Sequence, residues 1–276
     1  MEFLHTTAPA DLGVFALGLV IAAAVGGLGA GMLDIGGGIV VVPVLYHIMT
    51  ALGTEAGVRM HVAAGTSLAA IIPASIARAH QERSAIEWPL VQRWTVPLLA
   101  GALFASVLAG LASGRVLALF FGVVALPIVL HLTFGGAKKR SDARSLGKAA
   151  GLVFPALIGG ASTMTGIGAN AIAVPMLGLF GVPAARAAGT ASVFAAVAGL
   201  PAVFGAIVAG RHADSLPPWS AGYVNLLGFA LVAPVLLALE PAGAALAHLI
   251  DLKRLRLVFA ALIAIATARI LWDALA

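Results

Sequence analysis

The chain lacks cysteine and is poor in charge, and both shortages restrict what it can be. None of its 276 residues is cysteine, which excludes disulfides, thiol catalysis and cysteine-ligated metal sites. Only 10% of the residues are charged, whereas 61% are hydrophobic, and the mean hydropathy is +1.07. A water-soluble domain of this size could not cover its surface with so few charges. We therefore expect lipid to be the solvent for most of the surface.

The sequence also lacks the common motifs of energy-coupled and hydrolytic enzymes. It has no P-loop, no HExxH, no nucleophile elbow and no carboxylate pair. We therefore predict that the protein is not an enzyme and needs no cofactor and no resident metal. The net charge of +5 does not indicate nucleic acid, because basic residues in a membrane protein mostly mark the loops that face the cytoplasm.

A glycine-rich apolar motif occurs twice. The first copy, residues 29–45, is GAGMLDIGGGIVVVPVL, and the second, residues 161–177, is ASTMTGIGANAIAVPML. Each copy is followed by the short sequence AAGT, at 63–66 and at 187–190. An apolar chain built from two related halves is typical of secondary transporters, whose halves meet near the bilayer midplane at broken helices that hold the substrate.

The apolar runs predict an all-α, polytopic membrane protein with two related halves of about five helical segments each. Two segments, 38–51 and 170–181, are too short to cross a hydrocarbon core of about 30 Å, so we expect half-helices after a glycine break. If each half-helix and the segment before it are counted as one broken span, the number of segments falls from ten to eight. The predicted order is an N-terminal repeat (1–134) with segments 12–32, 38–51, 58–80, 90–112 and 115–134, a cytoplasmic linker (135–148), and a C-terminal repeat (149–276) with segments 149–167, 170–181, 186–209, 220–249 and 252–273.

The distribution of Lys and Arg favours halves of opposite orientation. With five elements per half, eleven basic residues lie on the side of the linker and three on the other side. If each glycine break belongs to one broken span, the halves are parallel and the counts become eight and six. The positive-inside rule favours the inverted arrangement, with the linker in the cytoplasm and the chain as a multi-pass protein of the inner (plasma) membrane. Inverted repeats would also bring the two motifs face to face.

The glycine breaks are the candidate substrate site. N–H groups at a helix start carry partial positive charge and lack intrahelical partners, so two such ends facing one cavity form an anion site. Close helix packing is the alternative reading of the glycines, and the hydroxyls often bond only to their own backbone. The expected substrate-binding residues are the glycines of the breaks with the hydroxyl and amide side chains near them: Gly36, Gly37, Gly38, Thr66, Ser67, Thr163, Thr165, Gly166, Gly168, Asn170, Thr190 and Ser192.

Two acidic residues in apolar surroundings are candidates for ion coupling, because charge within a membrane is costly and usually functional. Asp34 lies inside the first motif, where it could cap the following helix, bind a coupling cation or carry a proton. Glu240 stands in LVAPVLLALEPAGAAL, where it could carry a proton or pair with an arginine such as Arg93 or Arg269.

At these motifs the sequence resembles the TauE/SafE family of sulfite exporters, also called the toluene-sulfonate uptake permease family. Members typically carry the word LGIGGG-x-x-x-VP-x-L; here it reads LDIGGGIVVVPVL at 33–45, with the relative TGIGANAIAVPML at 165–177. The stretches AAGTS and ARAAGTAS are similar to a second family element, and the resemblance covers nearly the whole chain. Asp34 stands where glycine is common, and Asn170 replaces the last glycine of the GGG word, which predicts an asymmetric site with an amide side chain.

The resemblance implies alternating-access transport of small sulfur-containing anions such as sulfite, sulfonates or sulfoacetate. The expected partners are this anionic substrate, the lipid bilayer and a second copy of the chain in a homodimer, since small residues line membrane helix interfaces. Two other functions fit the residues. One is a non-transporting scaffold or maturation factor that uses the glycines for packing; the other is a cation or metal carrier that uses Asp34 and Glu240.

Overall fold

The computed structural model describes residues 9–134 and 149–275, which form an almost entirely helical protein. The all-α, polytopic fold is thus confirmed, and the predicted linker at 135–148 lies outside the described residues. Within those ranges there are ten α-helices: α1 Pro9–Leu33, α2 Gly38–Ala51, α3 Ala56–Gln81, α4 Trp88–Leu111, α5 Gly114–Phe134, α6 Ala150–Thr165, α7 Ala169–Leu179, α8 Ala184–Gly210, α9 Leu226–Leu246 and α10 Leu252–Leu275.

One predicted segment, 220–249, is not a single helix. It opens with a two-stranded antiparallel hairpin of β1 (Ser220–Ala221) and β2 (Val224–Asn225) and closes with the 3-10 turn Ala247–Leu249. Helix α9 begins only at Leu226, because Asn225 is its N-cap and accepts a 2.8 Å hydrogen bond from the N–H of Gly228. The hairpin therefore stands in place of the first six residues of the predicted helix.

Seven of the described helices are long and apolar enough to cross a membrane: α1, α3, α4, α5, α8, α9 and α10. Their outward faces carry large apolar side chains such as Val96, Phe104, Val123 and Ile265, each exposed by more than 60%. Helix α3 is the most deeply buried span and packs against α2, α5, α8 and α9. An apolar exterior around a packed interior is what lipid requires of a multi-pass protein.

The two short helices after the glycine motifs are present as predicted. Helix α2 has 14 residues and α7 has 11, or about 21 Å and about 17 Å of helix. Both breaks have a positive φ at the same two aligned positions: Asp34 (φ 56°) is aligned with Gly166 (φ 74°), and Gly36 (φ 71°) with Gly168 (φ 91°). This left-handed region is open to glycine and only occasionally to aspartate, which explains why the breaks are glycine-rich.

The halves have opposite orientation, as the charge count predicted. Helix α3 packs antiparallel to its counterpart α8: Glu82, just after α3, lies against Gly189 near the start of α8, and Gly65 lies against Ala206 near its end. Helices α1 and α9 run parallel, because Gly27 contacts Leu236 and Leu239 while Gly31 contacts Glu240 and Ala244. Helices α4 and α6, the counterparts of α9 and α1, are parallel in the same way, through Gly101, Gly151 and Gly159. The parallel-repeat alternative therefore does not occur.

These helix directions assign the basic residues at the helix ends to one or the other membrane face. We call the face where α5 ends and α6 begins the linker face, and the other the opposite face. Among described residues outside the helix centres, basic side chains at the linker face are Arg78, Arg83, Arg186, Lys253, Arg254 and Arg256, and those at the opposite face are Arg59, Arg115 and Arg211. This excess of basic residues at the linker face is consistent with the prediction that the linker face is cytoplasmic.

Candidate functional site

The two glycine breaks touch each other at the centre of the protein. A methyl group on Gly36 would lie 3.1 Å from Cβ of Asn170, and one on Gly38 would overlap the carbonyl oxygen of Ile167. The start of α2 thus meets the start of α7, as expected for inverted repeats. We call this meeting point, residues 34–38 and 166–170, the junction.

The middle of α3 supports the junction. The hydroxyl of Ser67 donates a 2.9 Å hydrogen bond to the carbonyl of Gly166. A methyl group on Gly166 would overlap the backbone of Ala64, and one on Gly168 would press on Ile71. Since residues 64–71 lie halfway along a helix of 26 residues, both half-helices begin near mid-membrane depth.

The junction is closed in this conformation. Gly36, Gly37, Gly38, Gly166 and Gly168 are all buried. Several of them leave no space for a side chain, so close packing explains part of their presence. A small cavity of about 30 Å³ lies to the side, lined by residues that include His61, Leu68, Thr163 and Tyr223. This volume holds one or two water molecules.

The side chain of Asn170 is an unsatisfied polar group within the junction. Asn170 is 2% exposed, and neither its Oδ1 nor its Nδ2 has a hydrogen-bond partner. It is the second residue of α7, whose N-cap is Gly168, so its amide does not cap the helix. An amide buried without partners costs about 1–3 kcal/mol, so its place here calls for a partner that this conformation does not contain.

Glu240 reaches the junction from α9. Its Oε1 accepts a 3.2 Å hydrogen bond from the N–H of Gly37, the N-cap residue of α2. Its Oε2 is buried without a partner, and the residue is 1% exposed. The basic side chain that acts on this carboxylate is Arg78, rather than Arg93 or Arg269. The start of α2 therefore already holds one carboxylate group.

Asp34 does not cap α2. Its carboxylate forms an ion pair with Arg78 of α3, whose Nε also donates a 3.0 Å hydrogen bond to Glu82. Arg78 is 5% exposed, and a buried guanidinium of this kind needs its acidic partners. Asp34 and Glu240 thus both interact with the same arginine.

Thr66 and Thr190 bond away from the junction. Thr66 Oγ1 accepts a 2.9 Å hydrogen bond from the N–H of Asn225, and Thr190 Oγ1 accepts a 3.0 Å bond from the N–H of Glu87. Asn225 and Glu87 are the N-cap residues of the equivalent helices α9 and α4. Both threonines therefore tie one half to the other.

Three further hydroxyls bond to the preceding turn of their own helices. Thr163 donates to the carbonyl of Gly159 at 2.8 Å, Thr165 to Ala161 at 2.7 Å and Ser192 to Ala188 at 3.0 Å. Thr165 also accepts a weak bond from the N–H of Ile167 and so steadies the second break. Of the predicted hydroxyl set, Ser67 and Thr165 contact the junction directly, and Thr163 faces the small cavity.

Sequence reasoning missed the roles of Arg78 and Glu82. Arg78 is one of the eleven basic residues that the charge count assigns to the side of the linker, but it is buried within helix α3. The available signal was the spacing of Arg78 and Glu82, which places them one helical turn apart. Within residues 9–134 and 149–275, no group of three His, Asp or Glu side chains is arranged to hold a metal ion.

A wide cleft opens on the opposite face, below the C-terminal end of α2. It has a volume of about 810 Å³, and its lining includes His47, Arg59, Arg269, Trp272 and Asp273. Because its lining contains two arginines and one aspartate, the cleft has a positive charge that favours anions.

Comparison with known proteins agrees with this architecture. The model of the family described as Sulfite exporter TauE/SafE matches residues 19–270. A "Probable membrane transporter protein" of Haemophilus influenzae is 27% identical over 214 residues, which cover 77% of this chain and 81% of that protein. No solved structure matches the chain. The chain is a multi-pass membrane transporter that belongs to the TauE/SafE sulfite exporter family.

Proposed function

We propose that the protein is a secondary transporter of small anions, above all sulfur-containing oxyanions and organosulfonates, which bind at the junction between its inverted halves. One observation carries the proposal. The N–H of Gly37 at the start of α2 already binds an oxyanion group, the Glu240 carboxylate, beside the unpartnered amide of Asn170. A site that holds a carboxylate has the donors that a sulfonate or sulfite oxygen needs.

The donors at the junction suit a small oxyanion. The start of α2 offers backbone N–H groups and the positive end of its helix dipole, and Asn170 offers the two N–H donors of its Nδ2. Arg78 adds positive charge at the edge of the junction, where it pairs with Asp34. Several oxygens on one small anion could use these donors together, whereas a cation would find mostly donors.

The architecture suits alternating access. The contacts at the junction come from both halves, so rocking one bundle against the other would open the site to either membrane face in turn. The cleft with Arg59 and Arg269 would collect anions at the opposite face. The family name, which refers to sulfite export, supports a sulfur oxyanion over a carboxylate. We place this carrier in the inner (plasma) membrane with its linker in the cytoplasm.

Two other functions explain less of the structure. A scaffold would account for the packed glycines but not for an amide and a carboxylate oxygen that are buried without partners at one point. A metal carrier would use Asp34 and Glu240 together, yet Asp34 is bound to Arg78 and Glu240 to a backbone donor.

The test is thermal stabilisation of the purified protein by sulfite, sulfate, thiosulfate, taurine, methanesulfonate, sulfoacetate, acetate and chloride, with divalent metal ions as a second panel. A ligand present at 100 times its Kd stabilises the folded state by about 2.7 kcal/mol, so we expect a dose-dependent rise of Tm with a sulfur oxyanion. Stabilisation by a divalent metal alone would replace the proposal with the cation carrier. If no ligand in either panel raises Tm and proteoliposomes show no sulfonate or sulfite flux, the scaffold function would be favoured.

A further inference from the structure

We propose that the Glu240 carboxylate is an internal anion that competes with the substrate for the start of α2, and that substrate binding adds one proton to Glu240. The carrier would then move its anion together with a proton. This inference rests on the proposed function, because it assigns a coupling mechanism to that same site.

The first argument is geometric. Glu240 Oε1 occupies the N–H of Gly37, one of the donors that the proposed anion would use. A methyl group on Gly37 would lie 3.2 Å from this same oxygen, so the carboxylate lies directly against the glycine backbone. Asn170 contacts Gly36, the preceding residue, and its amide is left unpaired. Substrate and carboxylate therefore cannot both accept the N–H of Gly37.

The second argument is the balance of charge around Glu240. Helix α3 brings Arg78 towards it, and Arg78 is shared with Asp34, which follows α1, and with Glu82. Among the described side chains, the other titratable groups on elements packed against α9 are Arg59 and His61 near the start of α3, His80 near its end, Tyr223 in the hairpin and His248 in the 3-10 turn. Three carboxylates thus share one guanidinium, and a bound anion would add a further negative charge at low dielectric.

Protonation resolves this conflict. A proton from the aqueous side forms an O–H bond on Glu240, and its Oε1 gives up the N–H of Gly37. A substrate oxygen then accepts that N–H and an N–H of Asn170 Nδ2. Asp34 keeps its ion pair with Arg78 throughout, so the arginine stays compensated. One proton and one anion enter together. When the anion leaves, Glu240 releases its proton to the water on that side, and the carboxylate accepts the N–H of Gly37 again.

The wild-type protein gives the first test. Thiosulfate and methanesulfonate are suitable probes, because both are anions of strong acids and keep their charge over the pH range used, whereas sulfite itself takes up a proton. We expect their affinity to rise as the pH falls from about 8 to about 6, by up to tenfold per pH unit where Glu240 is ionised in the free protein and protonated in the complex. Anion binding should therefore take up to one proton per anion from a weakly buffered solution. An affinity that is independent of pH, with no proton uptake, would overturn the coupling and leave the proposed transport intact.

Variants locate the proton. Glu240→Gln keeps the shape of the side chain and removes the charge, so we expect thiosulfate to bind with an affinity that no longer depends on pH and without proton uptake. Glu82→Gln is the matched control, because it removes an acid that contacts the same Arg78 but not Gly37. In proteoliposomes, Glu240→Gln should still exchange anions but should not accumulate them against a gradient when the pH differs across the membrane. Proton uptake that survives in Glu240→Gln would place the proton elsewhere and refute the assignment. If the wild-type protein binds no anion at all, the proposed function fails and this inference fails with it.

Discussion

Thr66 and Thr190 accept equivalent hydrogen bonds in the two halves of the protein. Thr66, in the N-terminal half, accepts the N–H of Asn225 at the start of α9, and Thr190, in the C-terminal half, accepts the N–H of Glu87 at the start of α4. Each AAGT word thus anchors a helix of the opposite half. The bonds are reciprocal, as the inverted symmetry of the fold requires, and they give the repeated threonine an architectural role.

If that role is correct, Thr66→Val should lower stability without changing anion affinity. Valine matches threonine in shape but leaves the buried N–H of Asn225 without a partner, which costs about 1–3 kcal/mol. Thr190→Val should cost less, because Glu87 is only partly buried and its N–H can reach water. Thermal unfolding in detergent and thiosulfate titration of both variants check this. A large loss of affinity in a protein of unchanged Tm would show instead that the threonine contacts substrate.

The order of these elements was largely predictable from the sequence, because long apolar runs, glycine breaks and the Lys and Arg count are local or additive signals. The positive φ angles of Gly36, Gly166 and Gly168 are the kind of backbone conformation that glycine favours. Contacts between the halves were not predictable in the same way. The Thr66–Asn225 bond joins residues 159 positions apart, and nothing in either word specifies the other.

The hairpin at 220–225 shows a second limit. Its apolar residues continue into α9, so hydropathy alone extends the helix over them. Asn225 was the available signal, since it is a favoured N-cap residue whose side chain reaches Gly228 three positions on.

The residues of the candidate site could also be predicted only in part from the sequence. Motif repetition indicated Asn170 and the glycines, but only packing shows that Asp34 and Glu240 both interact with Arg78.

Asn170→Ala should weaken anion binding while it leaves the fold intact. Neither amide atom of Asn170 has a partner, so alanine breaks no hydrogen bond and removes an unsatisfied polar group. Loss of one donor to a bound anion should raise the Kd of thiosulfate by about tenfold or more. Thr267→Val is the control, since Thr267 also carries a buried, unpartnered hydroxyl but lies on α10, away from the junction. Equal affinity in Asn170→Ala and the wild-type protein, with both monodisperse, would remove Asn170 from the site.

Asp34→Gly should be more stable than Asp34→Ala by about 1 kcal/mol. Both variants lose the ion pair with Arg78, but alanine must also hold a φ of 56°, which L-residues other than Asn and Asp adopt at a cost. The second break, with Gly166 at the aligned position, shows that glycine fits this conformation. Ala112→Gly serves as the control, because Ala112 has a φ of −75° and should gain nothing from glycine. Thermal unfolding that ranks Asp34→Ala at or above Asp34→Gly would contradict this account of the break.

The absence of native cysteine makes the membrane orientation directly measurable. Single cysteines can be placed at Ser84 between α3 and α4, at His248 between α9 and α10, and at Ser113 between α4 and α5, all of which are exposed. Because the halves are inverted and the linker face carries the excess of Lys and Arg, Ser84→Cys and His248→Cys should react with a membrane-impermeant maleimide only after the membrane is opened. Ser113→Cys should react in intact cells. Parallel halves would put Ser84 and His248 on different sides, so labelling that separates these two would refute the inverted fold. If Ser84→Cys and His248→Cys are labelled from outside and Ser113→Cys is protected, the inverted fold stands but its orientation in the membrane is reversed. The cleft with Arg59 and Arg269 would then face the cytoplasm.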